Sequence, residues 1–231
     1  MVGQVLQEEQ RQLPWLENGD RLSRPEFERR YAAMAQHKKA ELIEGVVYMA
    51  SPLRFQSHAQ PHANMIGWLW TYSMATFGVK LGIEPTLRLD LENEPQPDGV
   101  LLMDESVGGR SRITADDYIE GAPELVVEIA ASSASYDFHD KKLAYERNGI
   151  QEYIIWQILE HKVDWFELRE GKYVLLQPDD SQIVRSQVFP GLWLASEALL
   201  AQDMIPVVAV LQEGLSSPQH ADFVQLLQNP I

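Results

Sequence analysis

The residues of this chain with the most chemistry in them are two carboxylates on neighbouring apolar runs. Pro97-Asp98 opens the run Gly99-Val-Leu-Leu-Met103, and Glu128 interrupts the run Leu125-Val-Val-Glu-Ile129. A nearly all-apolar run of this length reads as a strand covered on both faces, and a charge inside it is costly unless it is paired or used. If the two strands pair, Asp98 and Glu128 can converge on one sheet face, because side chains alternate along a strand. Converging carboxylates need a bound divalent cation, a shared proton or a nearby Lys or Arg. The position two residues after Glu128, on the same face, is Ala130, so the strand itself supplies no cation. The nearest ones are Lys141 and Lys142, on either flank of a Phe138–Tyr145 helix face, and helical geometry alone does not choose between them. Glu41 lies two residues before Glu44-Gly45, which reads as a hairpin turn; Glu44 is then structural, while Glu41 could reach the same ion. His62 reads either as a partner behind the carboxylates or as a helix residue tucked under the hairpin. Trp68, Trp70 and Tyr72 could stack bases, but an aromatic helix face reads first as core.

Several elements must position these residues. Ser23 with Glu26 reads as a capping box, Pro25 suits a first helical turn, and Leu22 with Phe27 fits a hydrophobic staple, which predicts a helix over about 24–36. Two β-prone runs around Glu44-Gly45 predict a hairpin over 41–49. A helix from Pro61 to about Phe77 follows, with His62, Ile66, Leu69 and Ser73 along one face. The period then changes to two, predicting strands over about 79–91, 98–103 and 124–130, the first two separated by a turn at 92–97. Asp137 can cap a helix over about 138–148 that ends at Gly149, before a buried strand in 153–158. A meander in 162–188 and helical material near 195–228 complete the chain. The expected organisation is a loosely ordered arm over 1–20, one α/β domain over 21–200 and a helical extension over 201–231.

Composition excludes several function classes. The chain has no cysteine, which removes disulfides, thiolate nucleophiles and thiolate zinc sites; any metal must sit on oxygen or imidazole. No apolar run approaches the roughly 18 residues that span a bilayer, and residues 1–20 are too polar and acidic for a secretory signal, so the expectation is a cytoplasmic protein with no membrane association. The net charge of −15 argues against a general nucleic-acid binder. The charge is uneven, however: nothing after Arg185 is basic, while Lys38, Lys39, Arg54, Lys80, Arg88, Arg110, Arg112, Lys141, Lys142 and Arg147 lie in the first two thirds.

The order Glu41-Leu-Ile-Glu-Gly45, His62, Pro97-Asp98, Pro123-Glu-Leu-Val-Val-Glu128-Ile, Asp137, Lys141, Tyr145, Gly149, Glu152-Tyr153 and Phe189-Pro-Gly191-Leu resembles the Uma2-like family (DUF820) of the PD-(D/E)XK nuclease superfamily, over about residues 22–200. The resemblance implies a restriction-endonuclease-like αβββαβ core with a mixed sheet, and a magnesium (or manganese) site on Asp98 and Glu128, with Glu41 beside them. It implies a catalytic lysine moved from the strand to the helix, which selects Lys141 over Lys142. The catalytic set is then Asp98, Glu128, Lys141, Glu41 and His62, and the implied activity is metal-dependent endonucleolytic cleavage of DNA. The alternative is a catalytically silent module of the same fold that binds a protein partner or self-associates; a homodimer is left open. For a nuclease this acidic, contact with DNA must be local. Lys141, Lys142 and Arg147, or the loop of Arg110 and Arg112, are expected to line the mouth of the site while the basic-free C-terminal stretch faces away.

Overall fold

A computed structural model describes residues 13–34, 39–50, 52–130 and 135–229, the side chains of 135–138 excepted. Its centre is a mixed sheet of six strands: β3 (Val79–Ile83), β5 (Gly99–Met103), β8 (Leu125–Ala130), β9 (Glu152–Gln157), β10 (Lys162–Arg169) and β11 (Lys172–Leu175). The spatial order is β11-β10-β9-β8-β5-β3, antiparallel throughout except for β8 and β9. That parallel pair needs a crossover, and α3 (Ser135–Asn148) lies between the two in the chain. Alternation along the strands divides the core in two. Leu101, Leu125, Val127 and Ile129 pack with Met65, Trp68, Leu69 and Tyr72 of α2 (Gln60–Ala75) and with Val207 and Leu211 of α5 (Met204–Leu215). Val100, Leu102, Val126 and Ile155 pack with Tyr145 of α3 on the other face. Helices therefore cover both faces, which is why β5, β8 and β9 are apolar on both sides.

The hairpin of β1 (Ala40–Ile43) and β2 (Val46–Met49) turns on Glu44 and Gly45, at φ of 50° and 72°. Both central residues of such a two-residue turn need positive φ, which glycine takes without strain and which makes the acidic-Gly pair a hairpin signal. The hairpin is tied to the segment before β5 by paired backbone hydrogen bonds between Leu42 and Glu94, and to α3 through Tyr48 Oη, which donates to Asp140. It carries a third cluster of Leu16, Phe27, Ala40, Leu42 and Val47, with Leu22 packed against it.

The structure moves several predicted boundaries. The helix expected over 24–36 is α1 (Arg24–Ala32); Ser23 occupies the cap position without a side-chain bond, and the reciprocal half of the capping box is absent as well, because Glu26 pairs with Arg29 and Arg30. Lys38 and its neighbours 35–37 lie outside the described residues. The strand expected over 79–91 is broken at Glu84 (φ 49°) and Pro85, and Leu87 and Arg88 form β4 of a separate small sheet with β6 (Arg112–Ile113) and β7 (Ile119–Glu120). The helix expected from Pro61 is preceded by a π-helical turn, Phe55–Ala59, so the chain is helical six residues sooner. α3 starts at Ser135, three residues before its expected start, and ends as expected at Gly149, whose φ is 80°. Of the expected arm, residues 1–12 lie outside the described residues, while Leu16 is buried and the Gly19 amide donates to Val47 O. The expected meander over 162–188 holds β10, β11 and β12 (Ile183–Arg185), and after it come β13 (Trp193–Ala195), α4 (Ser196–Leu200), α5 and α6 (Pro218–Gln228). Trp68 and Tyr72 are core, with their polar tips satisfied by Trp193 O and Pro190 O, whereas Trp70 is 54% exposed.

Candidate active site

β5 and β8 pair with Gly99 opposite Val127, and continuing that register by one residue sets Asp98 opposite Glu128. Opposed residues of an antiparallel pair project to the same face, here the one covered by α3. Asp98 is pinned there: its Oδ2 accepts the Ile129 amide at 2.6 Å, and its carbonyl is bonded by His62 Nε2 at 2.9 Å. Asp98 is thus no turn cap. From α3, Lys141 Nζ reaches Glu128 Oε1 at 3.0 Å and Glu41 Oε1 at 2.9 Å. Glu41 comes from β1, and its Oε1 also accepts the Gln96 amide at 2.7 Å, which locks the hairpin onto the entry to β5. Tyr145, one helical turn after Lys141, donates its hydroxyl to Glu128 Oε1 at 2.6 Å. Lys142 points elsewhere, with Nζ 3.7 Å from the centre of the Phe166 ring.

All five expected residues are brought to one place, and Asp98, Glu128, Lys141 and Glu41 line one open cavity of about 840 Å³. His62 stands behind it on the Asp98 backbone. The structure adds a residue that the sequence reading passed over. His58, from the π-helical turn, is 6% exposed and lines the same cavity, with its Nε2 3.3 Å from Asp98 Oδ1. It went unseen because the helix was expected to begin at Pro61, which left His58 in a loop; the signal available was its spacing of four from His62.

The electrostatics follow from burial in a crowd of like charges. Burial, with the charges of Asp98 and Glu41, pushes Glu128 up to about 7 against the pull of Lys141 and Tyr145. Burial alone would lower Lys141, but the Glu128 and Glu41 carboxylates outweigh it and hold the ammonium firmly charged. For Asp98, burial opposes the charge and loses to His58, the Ile129 amide and Lys141, so its carboxyl lies below the usual range. Contact with Asp98 raises His58 over the opposing effect of burial.

The free donor atoms fit a divalent cation. Glu128 and Glu41 each take their protein contacts on Oε1, which leaves one oxygen of each without a hydrogen-bond donor among the described residues, and Asp98 accepts its amide on Oδ2 while its Oδ1 stands beside His58 Nε2. His58 Nε2 is buried and has no aligned hydrogen bond. Carboxylate oxygens and an imidazole nitrogen converging on a cavity are a cation's ligands, and a donor atom of His58, of His62 and of Asp98 lie within 4.8 Å of one another.

The basic residues of the cavity differ from those expected. Besides Lys141 they are Lys39 and Arg54. Arg147 is paired with Glu44 and Asp90, while Arg110 and Arg112 line a separate cavity of about 300 Å³ together with Glu105 and Glu120. No residue after Leu159 lines the larger cavity, so the basic-free C-terminal stretch stays out of it.

A family model described as "Putative restriction endonuclease", that of Uma2, matches residues 24–197, and the chain belongs to this family. A solved structure described as a "putative nuclease belonging to DUF820", from Anabaena variabilis, is similar over 86% of this chain and 97% of its own, with a TM-score of 0.53 at 12% identity. At that identity the likeness establishes the restriction-endonuclease-like fold. No protein of curated function matches the sequence. Among the described residues no helix is long and apolar enough to cross a membrane.

Proposed function

We propose that this chain is a divalent-metal-dependent endonuclease that hydrolyses phosphodiester bonds of DNA, with magnesium or manganese as its ion. The observation that carries the proposal is the convergence of Asp98, Glu128, Glu41 and Lys141 in one open cavity on the fold of this family. Asp98 and Glu128, with Glu41, would hold the ion, whose chemistry when bound is to polarise the scissile phosphate and to lower the pKa of a water. The remaining work falls to the protein. Lys141, kept charged by its two carboxylates, sets a cation where negative charge develops on the phosphate oxygens. Tyr145 fixes the rotamer of Glu128 through Oε1, and His62 fixes the Asp98 backbone. Arg54 supplies local positive charge for the DNA backbone on a protein whose net charge repels it, since Lys39 at the same cavity is paired with Glu84.

The test is incubation of purified protein with plasmid, single-stranded and branched DNA, with magnesium or manganese and with chelator. Ion-dependent cleavage that falls at least about 100-fold in Asp98→Asn and in Lys141→Ala supports the proposal. Cleavage that survives chelator or either variant rejects it. A second reading is the catalytically silent module that binds a protein partner or pairs with its own copy. It is favoured by Lys141 itself, which already satisfies Glu41 and Glu128 without an ion, and it predicts neither cleavage nor uptake of divalent ions.

A further inference from the structure

The neighbourhood of Asp98 is richer in imidazole than a magnesium site needs to be. His58 and His62 are four residues apart across the junction of the π-helical turn and α2, with ring centres 5.6 Å apart. Two histidines at this spacing on one helical face are a recurrent way of presenting two nitrogens to one transition ion. Single π-helical turns are themselves frequent at functional sites, where they redirect a side chain. His58 lines the cavity, and its buried Nε2 meets Asp98 Oδ1 at 3.3 Å without an aligned hydrogen bond, which leaves a buried polar atom incompletely satisfied.

Its distance from Asp98 is informative. Two ligands at right angles on an ion about 2.1 Å from each lie about 3 Å apart. His58 Nε2 and Asp98 Oδ1 are separated by 3.3 Å, a spacing that two adjacent ligands of one ion can also take. His62 bonds the Asp98 carbonyl through Nε2; a carbonyl only accepts, so Nε2 carries the proton and Nδ1 keeps the lone pair that an ion requires.

We infer that the ion held by Asp98 is also ligated by imidazole, His58 first and His62 with it, and that the cavity therefore selects a transition ion, manganese or a later member of the first row, over magnesium. This rests on the nuclease reading only for the purpose of the ion, and binding can be measured without DNA. The physical reason for the selection is that magnesium prefers oxygen and gives up its waters reluctantly, whereas affinity for an imidazole-containing site rises from manganese along the row. Glu128 and Glu41, which line the same cavity, hold Lys141 through Oε1 and keep a second oxygen for the ion.

The experiment titrates manganese and magnesium separately into chelator-treated full-length protein, reading free manganese by its electron paramagnetic resonance signal and magnesium by calorimetry. The spin-echo envelope of bound manganese is recorded for nitrogen modulation. Manganese should bind at least about 10-fold more tightly than magnesium, with nitrogen modulation present, and His58→Gln should weaken manganese by about 10- to 100-fold while moving magnesium by less than about 3-fold. Equal affinities for the two ions, manganese bound without nitrogen modulation, or no binding of either ion would each overturn the inference. The wild-type spin-echo measurement decides the matter even if His58→Gln does not fold. Manganese bound through nitrogen with no DNA cleaved under any condition would reject the nuclease reading and leave this inference standing. Cleavage supported equally by magnesium in wild type and His58→Gln would do the reverse.

Discussion

Replacing Lys141 by Met tests the electrostatic account of the site. The substitution keeps the length of the side chain and removes the one cation between Glu128 and Glu41, whose side chains are 12% and 16% exposed. At an effective dielectric of about 20, each contact near 3 Å is worth about 5 kcal/mol before desolvation, so most of the gross attraction is offset by burial. What the variant reveals is the cost of a carboxylate left behind, and that cost has a ceiling, because the carboxyl can bind a proton instead. Starting from an ordinary value of 4.5, protonation costs about 5 kcal/mol at about pH 8 and about 1.4 kcal/mol at about pH 5.5. In chelator, Lys141→Met should therefore lose about 3–5 kcal/mol at about pH 8 and only about 1–2 kcal/mol at about pH 5.5. Urea titrations at the two pH values measure both losses. Adding Glu128→Gln, which keeps an acceptor for Tyr145 and removes one of the two stranded charges, should recover about half of the loss at the higher pH. An equal loss at both pH values, or a double variant no more stable than the single one, would refute the reasoning.

The stability of the metal-free protein should fall as pH rises from about 5.5 to about 8.5. Burial pushes Glu152 up to about 7, and burial together with Glu28 pushes Glu94 up to about 8. The folded state thus holds protons that the unfolded chain releases above its ordinary value of 4.5, and stability is lost across that window, by roughly 3 kcal/mol at most for Glu152. Thermal melts across pH check this, and Glu94→Gln should flatten the slope; a melting temperature that rises over the window contradicts the assignment. Arg54→Glu should leave the melting temperature within about 1 °C, since Arg54 is exposed, while weakening binding to short duplex DNA and lowering its salt dependence. A fluorescence anisotropy titration at two salt concentrations reads both, and unchanged binding removes Arg54 from the DNA path. Tyr145→Phe should cost about 1–3 kcal/mol by urea titration, because Glu128 loses a 2.6 Å bond it cannot replace from water, and the same change in a Glu128→Gln background should cost less.

What was legible in the sequence was whatever depended on local pattern. Glu44-Gly45 marked its turn because only that backbone closes a two-residue hairpin, and the unbroken apolar runs of β5 and β8 announced a sheet covered on both faces. The convergence of Asp98 and Glu128 followed from alternation once the strands were paired. The choice of Lys141 over Lys142 did not follow, since the two are neighbours on one helix and flank the same face; the resemblance made that choice, and the contacts of Lys141 with Glu41 and Glu128 agree with it. Illegible were the features set by tertiary competition. Glu26 abandoned its expected capping bond for two arginines, Pro85 ended a strand that the leucine alternation carried on, and the buried face of α2 ran through Met65, Trp68, Leu69 and Tyr72 while Ser73 stayed at its edge.

The same distinction explains how so acidic a chain could meet a polyanion. Net charge is a sum over the whole surface, whereas association at a cleft depends on the field at its mouth, which decays over about 8 Å at physiological salt. Most of the basic residues expected at the mouth are spent elsewhere: Arg147 on Glu44 and Asp90, Arg112 on Glu120, and Lys142 over Phe166. Lys39 faces the cavity but is itself paired with Glu84, which leaves Arg54 and a bound cation as the local sources of positive charge. On this account the ion does more than activate a water. Without it the cavity presents Asp98, Glu128 and Glu41 against Lys141 and repels a phosphate; with it the balance turns. Under the proposed function, the carboxylates that make the protein look unsuited to DNA would be the residues that recruit the charge by which DNA is held.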